Sequence, residues 1–185
     1  MTKKVIWKSA SGQTIESLSL TEHPDHILIE SIIIGVEEDK PLYIHYQIHL
    51  NKDWQVLECK VRSEQETLFH LQSNGNGSWT DGHGQPLPHL SECIDIDLSC
   101  TPFTNTLPIR RLNLYPHQSA DIQVVYIDVI SGQIVPAKQQ YHHLGAQSCP
   151  ITYAYLSYTS GFSSEIIVDQ SGLVVDYPQL YIRLY

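Results

Sequence analysis

A mostly β, single-domain fold is predicted, built as an antiparallel meander or roll with little helix, and three observations predict it. Apolar and polar residues alternate with period two through much of the chain, as they must where a pleated strand has one dry face. Gly-containing turns recur at short intervals, at Ser11-Gly12, Ser131-Gly132, Ser160-Gly161 and Ser171-Gly172. Charged residues are only 17% of the chain, against about 25% in an average protein, and eleven tyrosines help replace them. Aromatic and β-branched groups pack well on a pleat.

The alternation is clearest over residues 42–50. Leu42, Ile44, Tyr46, Ile48 and Leu50 share one face, and Tyr43, His45, Gln47 and His49 the other. At the C-terminus Leu180, Ile182 and Leu184 oppose Tyr181, Arg183 and Tyr185. The runs 27–36 and 121–130 are apolar on both faces, which demands cover on both sides. Either the sheet folds around on itself or one face lines an apolar cavity. Further strands are predicted over 3–8, 13–20, 54–63, 66–73, 93–98, 133–143, 151–158, 162–168 and 172–176. Turns are also read at Glu38-Asp39-Lys40-Pro41 and Asn51-Lys52-Asp53, and a longer loop over 73–84. Only 105–113 reads as helix, one or two turns, with Asn105 or Thr106 as cap and Pro108 in the first turn. At 185 residues the chain fits one domain, residues 1–185.

Composition narrows function. The formal charge is −9 with eleven Lys and Arg, and the only basic pair of note is Arg110-Arg111, so nucleic acid is not an expected partner. The first twenty residues carry no signal-like apolar run, and no stretch approaches the roughly 20 apolar residues of a membrane span. A cytoplasmic location is the expectation. The four cysteines, Cys59, Cys93, Cys100 and Cys149, then read as reduced, buried thiols; a Cys93–Cys100 disulfide is conceivable in geometry but unexpected there.

No cofactor or metal is implied. His45 and His49 share a face, but four strand positions span roughly 13 Å, too far for one ion. His89, Cys93 and Cys100 miss the spacing of structural zinc sites. No nucleophile elbow, phosphate loop or dinucleotide fingerprint is present.

The tract 77–112 carries the most specific pattern. Gly77-Ser78-Trp79-Thr80-Asp81 leads to Cys93-Ile94-Asp95-Ile96-Asp97-Leu98, then Thr101-Pro102-Phe103-Thr104-Asn105 and Leu107-Pro108-Ile109-Arg110-Arg111-Leu112. Gln140-Tyr141, Tyr153-Ala154-Tyr155, Asp169, Gly172-Leu173 and Asp176-Tyr177-Pro178 flank it. The pattern spans nearly the whole chain and resembles the putative glycolipid-binding family, once a domain of unknown function, of spiral β-roll fold. The resemblance implies a strongly curved antiparallel sheet around an apolar interior, a glycolipid or other amphipathic ligand, and no transferable catalytic residue.

Candidate site residues follow from the chemistry of the tract. Asp95 and Asp97 lie two apart on one strand face, with Arg110 and Arg111 close in sequence. Together they could recognise sugar hydroxyls or satisfy one another as an internal network. Thr104 and Asn105 suit a fixed turn. Trp79, Phe103 and Tyr141 are candidate aromatic platforms or walls. The expectation is non-enzymatic binding of an apolar or amphipathic molecule. Two alternatives stay open. One is an enzyme on a sugar or lipid conjugate, with Asp95 and Asp97 as acid and base. The other is a ligand-free scaffold, self-associating as a homo-oligomer through Tyr153, Tyr155 and Tyr158.

Overall fold

The computed structural model describes residues 1–37, 39–145 and 150–185, so Glu38 of the expected 38–41 turn and Cys149 lie outside the described residues. Fourteen strands form one curved, unclosed sheet. The first meander runs β1 (Thr2–Ser9), β2 (Thr14–Glu22), β3 (Ile27–Glu37), β4 (Lys40–Leu50), β5 (Val56–Arg62), β6 (Thr67–Ser73) and β7 (Trp79–Asp81). The second runs β8 (Asp95–Leu98), β9 (Ser119–Ile127), β10 (Ile134–His143), β11 (Ile151–Ser157), β12 (Ser163–Val168), β13 (Val174–Tyr177) and β14 (Tyr181–Arg183).

Across the sheet the order is 7-6-5-4-3-2-1-14-13-12-11-10-9-8. The two meanders therefore meet at β1 and β14, through a seam of three residue pairs, Trp7 with Arg183, Lys8 with Ile182 and Ser9 with Tyr181. Every pairing is antiparallel except β8 with β9, which is parallel. Strands that follow one another in the chain pair through short turns, as a meander requires; β8 reaches β9 only after a long helical detour.

The two outermost strands, β7 and β8, are consecutive in sequence, so the segment between them must bring the sheet edges together. Trp79 of β7 donates its indole N–H to the Cys93 carbonyl at 2.7 Å, just ahead of β8. Gly77 has φ 84°, and a Cβ there would lie 3.0 Å from the Glu92 backbone nitrogen. Glycine is thus demanded by both the left-handed turn and the close approach. The result is a roll that curls on itself without closing.

Curvature explains one doubly apolar strand and not the other. In β9, Val124 and Val125 are both buried, as are Ile96 and Asp95 opposite them on β8. The far end of the first meander supplies the second cover, since Leu68, Leu71 and Leu87 share a pocket wall with Ile134 of β10. β3 departs from the expectation. Ile27, Ile29 and Ile33 are core, but Ile32, Ile34 and Val36 are 42%, 52% and 40% exposed. None of the described residues covers the outer side there, because the sheet itself is the single layer. Ile15, Ile34 and Tyr43 align across β2, β3 and β4 on that outer face.

β14 inverts its apparent polarity. Ile182 is exposed, while Tyr181 and Arg183 turn inward and half-buried. Arg183 pairs with Asp169 at 2.6 Å, and Tyr181 faces a cleft described below. The short strand β7 falls within the region read as loop, three residues being too few for a period-two signal.

The interior of the roll is largely filled. After β8 comes a 3₁₀ turn, Phe103–Asn105, continuous with helix α1, Thr106–Leu112, and residues 101–109 are all buried. This plug occupies the space that the resemblance leads one to expect as apolar void. Phe103, Leu107 and Ile109 join one core cluster with Trp7, Ile29, Tyr46 and Ile48. Asn105 is not a cap: its backbone is already helical, and its amide nitrogen donates to the Pro102 carbonyl at 3.1 Å. Pro108 lies in the first turn, where its missing N–H costs nothing.

Cys59 and Cys93 are buried free thiols and Cys100 is a half-buried one. Burial pushes the Cys59 thiol up to about 12 and Cys93 to about 11, so neither is a ready nucleophile.

Candidate functional site

The expected aspartate pair divides into two different environments. Asp95 is 0% exposed and takes a bidentate grip from Arg111, with Nη2 2.6 Å from Oδ2 and Nε 3.0 Å from Oδ1. Burial pushes its carboxyl up, with the guanidinium pulling the other way. An acid sealed in this way cannot reach a substrate, and Asp95 with Arg111 reads as a strut fastening α1 to β8.

Asp97, on the same strand face, has no cationic partner among the described residues. Thr104 Oγ1 donates to Oδ1 at 3.1 Å, and Gln139 Nε2 donates to Oδ2 at 2.7 Å. Burial pushes its carboxyl up, and the two neutral donors only partly oppose this. Asp97 stands at the inner wall of a cleft of about 390 Å³ within the second meander. Asn105 and Gln139 are buried beside it, whereas Phe162 and Leu180 form an exposed rim. The walls are aromatic, from Tyr126, Tyr155, Tyr177 and Tyr181. Tyr155, Phe162 and Tyr177 form a triangle with every ring pair 6.3 Å apart.

The local sequence explains why space remains here. On β10 and β11 the inward positions are Ala137, Gln139 and Tyr141, and Tyr153, Tyr155 and Ser157. Ala137 and Ser157 are too short to cross the roll, and Gln139 is turned to Asp97. The plug stops short of this end, leaving a gap that no apolar side chain fills.

The other expected residues lie elsewhere. Trp79 and Phe103 are core, the first serving the edge closure already described. Tyr141 is buried behind the cleft, its hydroxyl donating to Asn105 Oδ1 at 2.8 Å. Arg110 is exposed and stacks over the Trp54 ring at 4.7 Å, away from the cleft lining. Of the expected site residues, only Asp97 and Asn105 line the cleft. Its tyrosines and Gln139 were not singled out as a site. Their signal is a small or polar residue at an inward strand position, weak until the partner strands are known. His45 is beside Arg62 at 2.7 Å, and among the described residues no cluster of His, Cys, Asp and Glu could hold a metal ion.

A second buried acid went unremarked in the sequence. Glu16 of β2 is 3% exposed and is ringed by hydroxyls. Ser31 donates to Oε1 at 2.7 Å, Tyr46 to Oε1 at 2.5 Å and Thr101 to Oε2 at 2.7 Å. Since Thr101 also belongs to the cleft wall, this cluster ties the first meander to the cleft. Burial raises the Glu16 carboxyl from its ordinary 4.5 to about 7, the hydroxyls offsetting part of the effect. The folded protein then holds this proton more tightly than the unfolded chain. That stabilisation is complete below about pH 4.5 and is lost as pH rises through about 7. Replacing Glu16 by Gln removes the dependence. In urea unfolding, the wild type is expected to lose roughly 2–3 kcal/mol relative to Glu16→Gln between pH 5 and pH 8. An unchanged gap contradicts a neutral buried Glu16.

The fold and cleft define a single-sheet roll with a lateral, aromatic-walled pocket. The chain belongs to the family described as "Putative glycolipid-binding", whose model matches residues 4–183. It is also similar to the crystal structure of a DUF1089 family protein from Pseudomonas aeruginosa. That likeness has 35% identity and a TM-score of 0.80, and covers 93% of this chain and 92% of the other. No functionally curated protein matches. No described helix is long and apolar enough to cross a membrane.

Proposed function

We propose that the protein binds an amphipathic small molecule, a glycolipid in keeping with the family description, non-covalently in the cleft bounded by Asp97, Gln139, Tyr155 and Tyr177. The observation that carries this reading is the unfilled space of about 390 Å³, with aromatic walls and a polar inner end. Ligand pockets fall in the range of about 300–1,000 Å³ and pair apolar walls with a few fixed polar groups. Each buried methylene contributes about 0.8 kcal/mol, so an eight-carbon chain contributes about 6 kcal/mol before ordering costs. Asn105, Gln139 and Asp97 would meet the sugar hydroxyls, and the tyrosine rings would pack on the sugar face or the chain.

Chemistry on the ligand finds little support, because Asp95 is sealed against Arg111 and cannot partner Asp97 as acid and base. A purely scaffolding role finds no more, since Tyr153 and Tyr155 point inward and only Tyr158 of that trio is exposed. The free thiols fit a cytoplasmic location, which belongs to the same proposal. Nucleic acid is not part of it, as the cleft lining contains no Lys or Arg.

Native mass spectrometry of freshly purified protein, with organic extraction, tests the reading. The wild type is expected to carry an amphiphile that Ala137→Trp and Ser157→Phe variants lose while keeping the wild-type circular dichroism spectrum. Equal retention by all three would contradict a ligand in this cleft.

A further inference from the structure

Among the described residues, Asp97 is the only charged one lining the cleft, and no Lys, Arg or His contributes to its walls. Its carboxylate receives only a hydroxyl and a carboxamide, from Thr104 and Gln139. Asp95, one turn of the pleat away, already has the nearby guanidinium to itself. A half-buried carboxylate with only neutral partners is an unusual thing to keep, since partly desolvated charge without a counter-charge is costly.

The surroundings are equally one-sided. Tyr155, Tyr177 and Tyr181 line the same cleft as Asp97, and their phenols are pushed up chiefly by burial, with the charge of this acid a lesser contribution in each. Tyr126 at the same wall also feels it. The hydroxyls of Tyr126 and Tyr177 make no hydrogen bond to any described residue, although both belong to the cleft lining. Aromatic walls around a carboxylate are what a cation seeks: ring faces present negative potential, and the carboxylate supplies the counter-charge. The same arrangement repels phosphate, sulfate and free carboxylate, and the formal net charge of −9 adds to the repulsion.

We propose that the cleft selects a ligand bearing a protonated amine, with Asp97 as its counter-ion and the surrounding tyrosines as its cage. This deepens the binding proposal and rests on the same cleft. The amine could be carried by an amino sugar or by a simple alkylammonium head, and the shared feature is an N–H⁺ group delivered to Asp97. The Asp97 carboxylate has acceptor sites beyond those used by Thr104 and Gln139, and there it gains an ion-paired hydrogen bond that a neutral hydroxyl cannot supply.

Calorimetric titration at about pH 7 with four eight-carbon probes tests this: octyl glucoside, octyl glucosaminide, octylamine and octanoate. The glucosaminide is expected to bind about tenfold more tightly than the glucoside, and octanoate not to bind. Octylamine binding as well as the glucosaminide identifies the amine alone as the determinant; octylamine failing while the glucosaminide binds tightly assigns the preference to an amino sugar. In Asp97→Asn the tenfold preference is expected to vanish, the glucosaminide and the glucoside binding that variant with equal affinity. The conservative Thr104→Val variant, which leaves the charge in place, should retain the preference. Equal binding of glucoside and glucosaminide, or tighter octanoate, overturns the charge selection while leaving the cleft as a binding site. Binding of none of the four overturns both.

Discussion

Arg111→Ala is expected to destabilise the protein by about 3–5 kcal/mol, because it strands a fully buried carboxylate. Asp95 is 0% exposed, and Arg111 supplies the only cation that reaches it among the described residues. The energy at stake is mostly the penalty of an unpaired charge, and not the strength of the pair itself. Removing both charges is therefore milder: a double Asp95→Leu, Arg111→Leu variant should recover most of the lost stability. Chemical denaturation of the two variants separates these cases. A loss below about 1 kcal/mol for Arg111→Ala would mean that the pair behaves as a surface salt bridge. Because Arg111 lies outside the cleft lining, whatever folded population remains should bind ligand normally.

Trp7→Ala carries a cost of similar size, about 3–5 kcal/mol, for a different reason. Trp7 is fully buried in β1 at the narrow seam with β14, and its indole N–H donates to the Val174 carbonyl of β13 at 2.8 Å. One side chain thus reaches past β14 to the strand beyond, joining the two meanders where their backbone ladder has only three residue pairs. Truncation leaves a large cavity and an orphaned carbonyl together. Trp7→Phe should cost distinctly less, since it retains most of the packing and loses only the hydrogen bond. Thermal melts of the two variants check this. Equal losses would assign the whole effect to the hydrogen bond, and a small loss for Trp7→Ala would mean that the seam is held by other contacts.

The strands were legible because a half-buried sheet writes its geometry directly into the residue order. Ile44, Tyr46 and Ile48 of β4 repeat at the pleat period and are all core. The exposed outer face of β3 was not legible, since Ile32 and Ile34 carry the same side chains whether or not another layer covers them. The helix could be read from a cap at Asn105 or Thr106 and from Pro108 in its first turn, yet its role in filling the roll depends on contacts far apart in sequence. The candidate site was legible only at Asp97 and Asn105, which lie in the distinctive central tract. Tyr155, Tyr177 and Gln139 come from strands brought together by the curl, and each alone looks like an ordinary inward residue. Glu16 was hidden for the same reason: its three hydroxyl partners, Ser31, Tyr46 and Thr101, are distributed over three separate segments.

A ligand bound as proposed enters the second meander beside Asp97. Backbone amide chemical shifts followed by nuclear magnetic resonance during titration with octyl glucoside test it most directly. Perturbations are expected to concentrate at Ala137, Gln139, Tyr155, Ser157 and Tyr177 and to saturate with one affinity. Shifts confined to the uncovered outer row of Ile15, Ile34 and Tyr43, or no saturable shift at all, would contradict it.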